Sequence, residues 1–394
     1  MSYKPVTPRP VLITLFLLII MLMVEVASWI GIKIIDLRAP FLLYQAPEIS
    51  KERFDGYIEN RDPVLGWPGR KALESAAFDQ SGSRPVPAFP QPGSECVSLY
   101  GDSFTYADDV DDEHAWGNLL ARKLDCRVAN WGVGGYGTDQ ALLRFFGHSE
   151  DRAPITLLGF FPENILRNIN QYRYLLARDE AFSFKPRFIL EAGRLRQVPP
   201  PDIAFSEWGR FVEAPGRFLS HENFLPDSRM GPIPPRFPYT SAIVKLLANE
   251  RILGRLRGRP SWMQALSSDH PSQAGPLTIA IIETFAAQCL ERGKRCAVVV
   301  FPSNTSFDYY RASGVSSIQP ILLGLKERNI MTLNLTAGMS ALLGEEGLCE
   351  VKAAGCGGHF TADGYAMIAT LVYEFIRAQG WLPSDGSVKG KGHE

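Results

Sequence analysis

The sequence predicts an α/β chain, with a central parallel sheet covered by helices on both faces and one apolar helix ahead of it. Two observations carry this. From Glu95 onward, short apolar runs alternate with amphipathic stretches in βαβαβ order, which is the pattern of a parallel sheet. Near the N-terminus, Val11–Val24 reads VLITLFLLIIMLMV without a charge, and the apolar character runs on to Ile32.

That N-terminal stretch has about the ~20 residues a helix needs to cross a bilayer. A cleaved signal peptide is the alternative, but Glu25-Val26-Ala27 puts a charge where a cleavage site wants a small residue. Residues 11–32 are therefore expected to be an uncleaved anchor. Lys4 and Arg9 precede it, so the tail of residues 1–10 should be cytoplasmic and the rest periplasmic or extracellular. Residues 33–93 read as an irregular approach segment, carrying Asp62-Pro63-Val64-Leu65-Gly66-Trp67 and then the loop-like SGSRPVPAFPQPGS.

The alternation then begins. Strands are predicted at Cys96–Tyr100, Arg127–Trp131, Ile155–Phe161, Cys296–Phe301 and Met331–Leu335. Helices are predicted at 115–124, 139–146, 277–292 and 362–379, the first with Trp116, Leu119, Leu120 and Leu124 on one face. Residues 170–275 interrupt the pattern as an insertion in a domain over 94–385. They hold a hairpin about Glu191-Ala192-Gly193-Arg194, and their aromatics (Phe182, Phe184, Phe188, Trp208, Phe211) argue for a packed element rather than a loose loop.

Composition bounds the chemistry. The net charge of −1, with 45% hydrophobic and 21% charged residues, is that of a globular protein and gives no sign of nucleic-acid binding. Six cysteines fall in an order that suggests three local pairs: Cys96 with Cys126, Cys289 with Cys296, and Cys349 with Cys356. Such pairs suit an exported domain. Zinc is the rival reading, but no CxxC occurs and histidines are sparse.

Four segments can carry chemistry. Tyr100-Gly101-Asp102-Ser103 follows the first strand directly. A serine there stands at the carboxyl edge of the sheet, where open α/β sheets bind ligands, and it becomes a nucleophile only beside a base. Asn130-Trp131-Gly132-Val133-Gly134-Gly135-Tyr136-Gly137 opens the next helix, and its glycines free backbone N–H groups to face an anion. The bare GxGxxG within it follows the second strand without the acidic partner of a dinucleotide site. Phe160-Phe161-Pro162-Glu163-Asn164 ends the third strand and offers an amide donor. Gly357-Gly358-His359 precedes the closing helix; of six histidines, His359 alone sits at a late strand-to-helix junction.

Together these segments resemble the four blocks of the SGNH/GDSL hydrolases, over about residues 94–380. Ser103 matches the family's nucleophile, Gly135 the block-two glycine, Asn164 the block-three asparagine and His359 the base. The DPVLGW segment, the NWGVGGYGTDQ block and the FF-x-x-N form look closest to membrane-anchored members found with bacterial polysaccharide O-acetylation, which resemble alginate O-acetylation proteins. The resemblance implies a flavodoxin-like three-layer α/β/α sandwich. It also implies a serine esterase or O-acetyltransferase without metal or organic cofactor. The implied partners are an acylated carbohydrate and proteins of polysaccharide synthesis or acetylation. One departure stands out: the family's Asp, two or three residues before the His, is here Cys356 or Gly357. Glu350 or another acid could reach in from elsewhere, a backbone carbonyl could orient the ring to give a Ser–His dyad, or the chain could be a non-catalytic carbohydrate-binding or scaffold subunit.

Overall fold

The structure, a computed structural model, describes residues 9–178 and 181–382. The expected cytoplasmic tail lies outside these up to position 8. Five strands form one parallel sheet: β1 (Glu95–Tyr100), β2 (Arg127–Asn130), β3 (Ile155–Phe160), β6 (Arg295–Val300) and β7 (Thr332–Asn334). Their order is β2-β1-β3-β6-β7. The two remaining strands, β4 (Arg187–Glu191) and β5 (Arg194–Val198), form the expected hairpin, turning through Ala192 and Gly193, both at positive φ.

The sheet's two faces follow from alternation along β1. Val97 and Leu99 point to one side, into a core with Trp116, Leu120, Tyr365 and Ile368 from helices Trp116–Leu124 and Ala362–Ala378. Tyr100 points to the other, its ring 5.1 Å from Phe145, which in turn lies 4.6 Å from Phe285 of helix Ala274–Glu291. Helices thus cover both faces. The strand order reverses at β1, between β2 and β3, and ligands in such sheets bind beyond the carboxyl ends at that reversal. All three cysteine pairs form disulfides. Cys96–Cys126 joins β1 to the residue before β2, Cys289–Cys296 ties a helix to β6, and Cys349–Cys356 closes the loop ahead of His359.

Two compact units are present. One holds Met1–Ser50, Tyr172–Ser183 and Ile203–Gly258; the other, with the sheet, holds Lys51–Gln171, Phe184–Asp202 and Arg259–Glu394. The aromatics of the 170–275 stretch are packed: Phe184, Phe188, Trp208 and Phe211 are buried. The first unit contains the long apolar helix Arg9–Arg38, which has the length and composition of a membrane span.

Candidate active site

Ser103 begins a one-turn helix, Ser103–Tyr106, immediately past β1. Asp102 caps it, its carboxylate accepting from the Phe104 N–H at 2.9 Å. The turn lies hard against the sheet. A Cβ at Gly101 or Gly159 would come within 2.0 or 1.9 Å of Thr105 Oγ1, so these two positions need glycine for the serine to sit where it does. Ser103 is 5% exposed, and neither its N–H nor its Oγ makes a hydrogen bond. Ala107 and Asp109 both take φ of 70° and curl the next residues back toward the serine's side of the turn. Arg84 pins this curl. Its Nη1 donates to the carbonyls of Tyr106 and Ala107, each at 2.7 Å, its Nη2 to that of Val110 at 2.7 Å, and its Nε to Asp112 at 2.8 Å.

His359 meets this curl from the other end of the chain. Asp109 Oδ2 accepts from the His359 backbone N–H at 2.9 Å and lies 3.1 Å from its Nδ1. The acid paired with His359 is therefore Asp109. Neither Glu350, which is exposed on the surface, nor a backbone carbonyl has that place. The pairing joins residues 250 positions apart, at the second of two left-handed residues that follow Ser103. The His359 N–H, then its ring, hold the Asp109 carboxyl below the usual carboxylate range. An ionised Asp109 requires Nδ1 to be the donor and leaves Nε2 as acceptor. Burial pushes the neighbouring Asp108 up. The ring lies 4.7 Å from the Phe104 ring, centroid to centroid. No hydrogen bond joins Nε2 to Ser103 Oγ, and such bonds commonly close only once substrate binds. The base loop is fixed by the Cys349–Cys356 disulfide and by Asn304 Nδ2 donating to the Cys356 carbonyl at 2.9 Å.

The two candidate oxyanion elements stand at the ends of β2 and β3. Gly135 has φ of 79°, which makes glycine the natural residue in that turn. The approach segment braces the loop around it: Trp67 Nε1 donates to the Gly134 carbonyl at 2.9 Å, and the Tyr136 hydroxyl donates to the Trp67 carbonyl at 2.6 Å. Asn164 is 1% exposed. Its Oδ1 accepts from Arg167 at 3.2 Å, while its Nδ2 is buried without a hydrogen-bond partner. The Asn164 side chain nonetheless favours the charged form of the nearby Asp102 carboxyl. A buried unpaired amide is costly in a resting structure and is what an oxyanion would satisfy. Arg167 links the three blocks, its Nη1 reaching Asp102 at 3.5 Å and the Tyr136 carbonyl at 3.0 Å. Burial raises the Asp102 carboxyl and Arg167 opposes that rise. Asn164→Ala is expected to lower turnover by about 10²–10³ with little change in KM, because the donor is used only when charge develops. Steady-state kinetics on an aryl acetate would check this, and a pure rise in KM would place Asn164 in substrate binding instead.

A cavity of about 280 Å³ opens beside His359, walled in part by Phe104, Phe161, Arg167, Trp262 and Lys352. Ser103 itself is not in its walls; its neighbour Phe104 is. Lys352 is 8% exposed and stands over the rings of Phe104 at 4.5 Å and Phe360 at 4.4 Å. It makes no salt bridge or hydrogen bond through its ammonium, and burial lowers it to about 8. Below that value the ammonium is a positive charge in the wall of the cavity beside His359; above it the charge is gone. Hence kcat/KM is expected to fall as pH rises through about 8, and Lys352→Met should remove this alkaline limb. A pH–rate profile of both proteins is the check, and an unchanged limb in the variant would assign it elsewhere.

The structure thus brings Ser103, Gly135 and Asn164 to the carboxyl ends of β1, β2 and β3, and His359 to Asp109. Asp109, Arg84, Arg167 and Lys352 were not singled out from sequence. Of the passed-over histidines, His148 is half-buried beside Tyr100 and Trp131, and loss of solvent there lowers it to about 4, while His114 pairs with Asp111 on the surface.

No family model matches the chain, and no curated protein matches it. Among solved structures it is similar to a member of the lipolytic protein G-D-S-L family from Veillonella parvula DSM 2008, at 11% identity, covering 71% of this chain and 97% of that one, TM-score 0.33. It is similar also to a psychrotrophic esterase from Pseudoalteromonas sp., at 12% identity, covering 72% and 97%, TM-score 0.34. A catalytic mutant of an acetylxylan esterase from Geobacillus stearothermophilus is similar at 11% identity, covering 74% and 97%, TM-score 0.35. At such values the similarities carry no weight for activity, which must be argued from the residues themselves.

Proposed function

We propose that this chain is a membrane-anchored serine ester hydrolase or O-acyltransferase of SGNH/GDSL type. The observation that carries it is the pairing of Asp109 with His359 at both the backbone N–H and Nδ1, which fixes the imidazole with Nε2 as acceptor. In the proposed reaction His359 Nε2 takes the Ser103 proton as Oγ attacks an ester carbonyl. Asp109 stays ionised and stabilises the imidazolium. The oxyanion is held by Asn164 Nδ2 and the backbone N–H groups of Ser103 and Gly135. Collapse expels the alcohol, which takes the proton from His359 and leaves an acyl-Ser103. Water then makes the chain an esterase, and a sugar hydroxyl makes it a transferase. The acylated-carbohydrate substrate rests on the sequence resemblance of the approach segment and blocks two and three. The anchor and the external site rest on the apolar helix and the charges before it. A scaffold role drew its support from the missing acid, and Asp109 supplies one. A fluorophosphonate probe applied to the full chain, with peptide mass spectrometry, is expected to mark Ser103. Labelling elsewhere, or none in a folded sample, would overturn the assignment.

A further inference from the structure

The apolar span has an internal carboxylate, Glu25, that an ordinary anchor would not carry. Its Oε2 accepts from the Tyr239 N–H at 2.6 Å and its Oε1 from the Thr240 N–H at 3.3 Å. Ser28 Oγ lies 3.3 Å from Thr240 Oγ1. Tyr239–Ala248 is a ten-residue helix whose own cap residue, Pro238, supplies no side-chain bond, so Glu25 satisfies its orphan donors and complements its positive end. The two helices then run side by side in the same direction. Gly31 faces Ile243, and Ile32 shares a buried cluster with Ala242 and Leu246.

This fixes a depth. At about 1.5 Å per residue, Glu25 stands roughly 21 Å along the helix from Val11 and about 12 Å short of Lys33. Resting on the reading of this helix as a membrane span, Glu25 therefore sits about 10 Å inside the ~30 Å hydrocarbon layer. Whatever is bonded to it lies at the same depth. The bonded segment has the surface for that place. Phe237 is 75% exposed and Val244 61%, and no charge occurs from Phe237 through Val244. The first charge along the helix is Lys245, about 9 Å above Tyr239 and so near the level of Lys33, where it pairs with Asp227 at 2.9 Å. Arg236, just before the tip, is exposed, and a basic side chain so placed reaches for the interface. In lipid the N–H groups of Tyr239 and Thr240 could not be left open, and Glu25 closes them.

We propose that the Phe237–Ala248 segment is a second membrane-inserted element, dipping into the lipid leaflet nearer Lys33 against a retained N-terminal helix. Cleavage near Ser28 would remove Glu25 and leave the first turn of that helix uncapped. The test uses the full-length protein in phosphatidylcholine nanodiscs. All six cysteines are paired, so an introduced cysteine is the one reactive thiol. Phe237→Cys and Val244→Cys are compared with Arg210→Cys, an exposed site in the same unit, by the rate of reaction with a charged maleimide. The two are expected to react at least about tenfold more slowly than the control in lipid, because a charged reagent is excluded from hydrocarbon, and to match it in SDS. Equal rates in lipid, with an intact N-terminus by mass spectrometry, would overturn the inserted segment alone. A mature chain beginning near Ser28 would overturn the anchor itself and the inference with it.

Discussion

Ser103→Ala is expected to lower kcat/KM for a small acetyl ester by about 10⁴–10⁶, the range seen when a member of a serine triad is removed. The fold should not notice. Ser103 Oγ makes no hydrogen bond, so its loss strands no partner, and the change in stability should stay within about 0.5 kcal/mol. The helix cap also survives, because Asp102, not Ser103, supplies it. Thermal melting and ester kinetics on the same samples separate the two effects. Because the residues of a triad act as a unit, adding a His359 substitution to the Ser103 variant should cost little more. Residual activity within about tenfold of the parent, in a preparation shown free of other esterases, would mean that another group attacks the ester. Loss of activity together with a large drop in melting temperature would instead show that the turn is structural.

The sheet was legible in the sequence because its signals are local. Five apolar runs of five to seven residues, each followed by a glycine-bearing loop or an amphipathic stretch, are enough to order parallel strands, and the predicted strand boundaries differ from the observed ones by at most one residue. Ser103, Gly135 and Asn164 were legible for the same reason, since each sits in a short segment past a strand end; His359 precedes the closing helix as expected, but a helix and two short turns separate it from the last strand. What was not legible depends on pairs distant in sequence. Asp109 lies in an unremarkable Ala-Asp-Asp-Val run. Nothing there announces that Ala107 and Asp109 both adopt left-handed backbone, a conformation rare for residues other than glycine. Arg84 stands in a proline-rich stretch that reads as loop, yet it is almost fully buried and holds three carbonyls of that curl. Glu25 counts as a blemish in an apolar helix until the N-terminus of Tyr239–Ala248 is seen against it. In each case a polar group out of place locally is satisfied by a partner that only the fold supplies.

Asp109→Asn is expected to lower kcat/KM by about 10⁴, the cost of holding a catalytic imidazole in the wrong tautomer. The amide that replaces the carboxylate is nearly the same size. Asparagine also tolerates the left-handed backbone at this position, so the curl pinned by Arg84 should persist. What changes is the bond to His359. An amide nitrogen facing Nδ1 makes that atom an acceptor and moves the ring proton to Nε2, where it cannot receive the serine's proton. The charge that would stabilise the imidazolium is lost as well. Asp108→Asn is the matched control. That carboxyl is adjacent and acts on His359 electrostatically, but it makes no hydrogen bond to the ring, so the loss should be far smaller. Glu350→Gln, at an exposed position, should leave the rate near that of the parent. Three variants measured side by side on one ester therefore give a ranking, with Asp109→Asn worst by orders of magnitude. If Asp109→Asn keeps activity within about tenfold while Glu350→Gln loses it, the orienting acid is Glu350 and the resting pairing of Asp109 with His359 is a structural bond only.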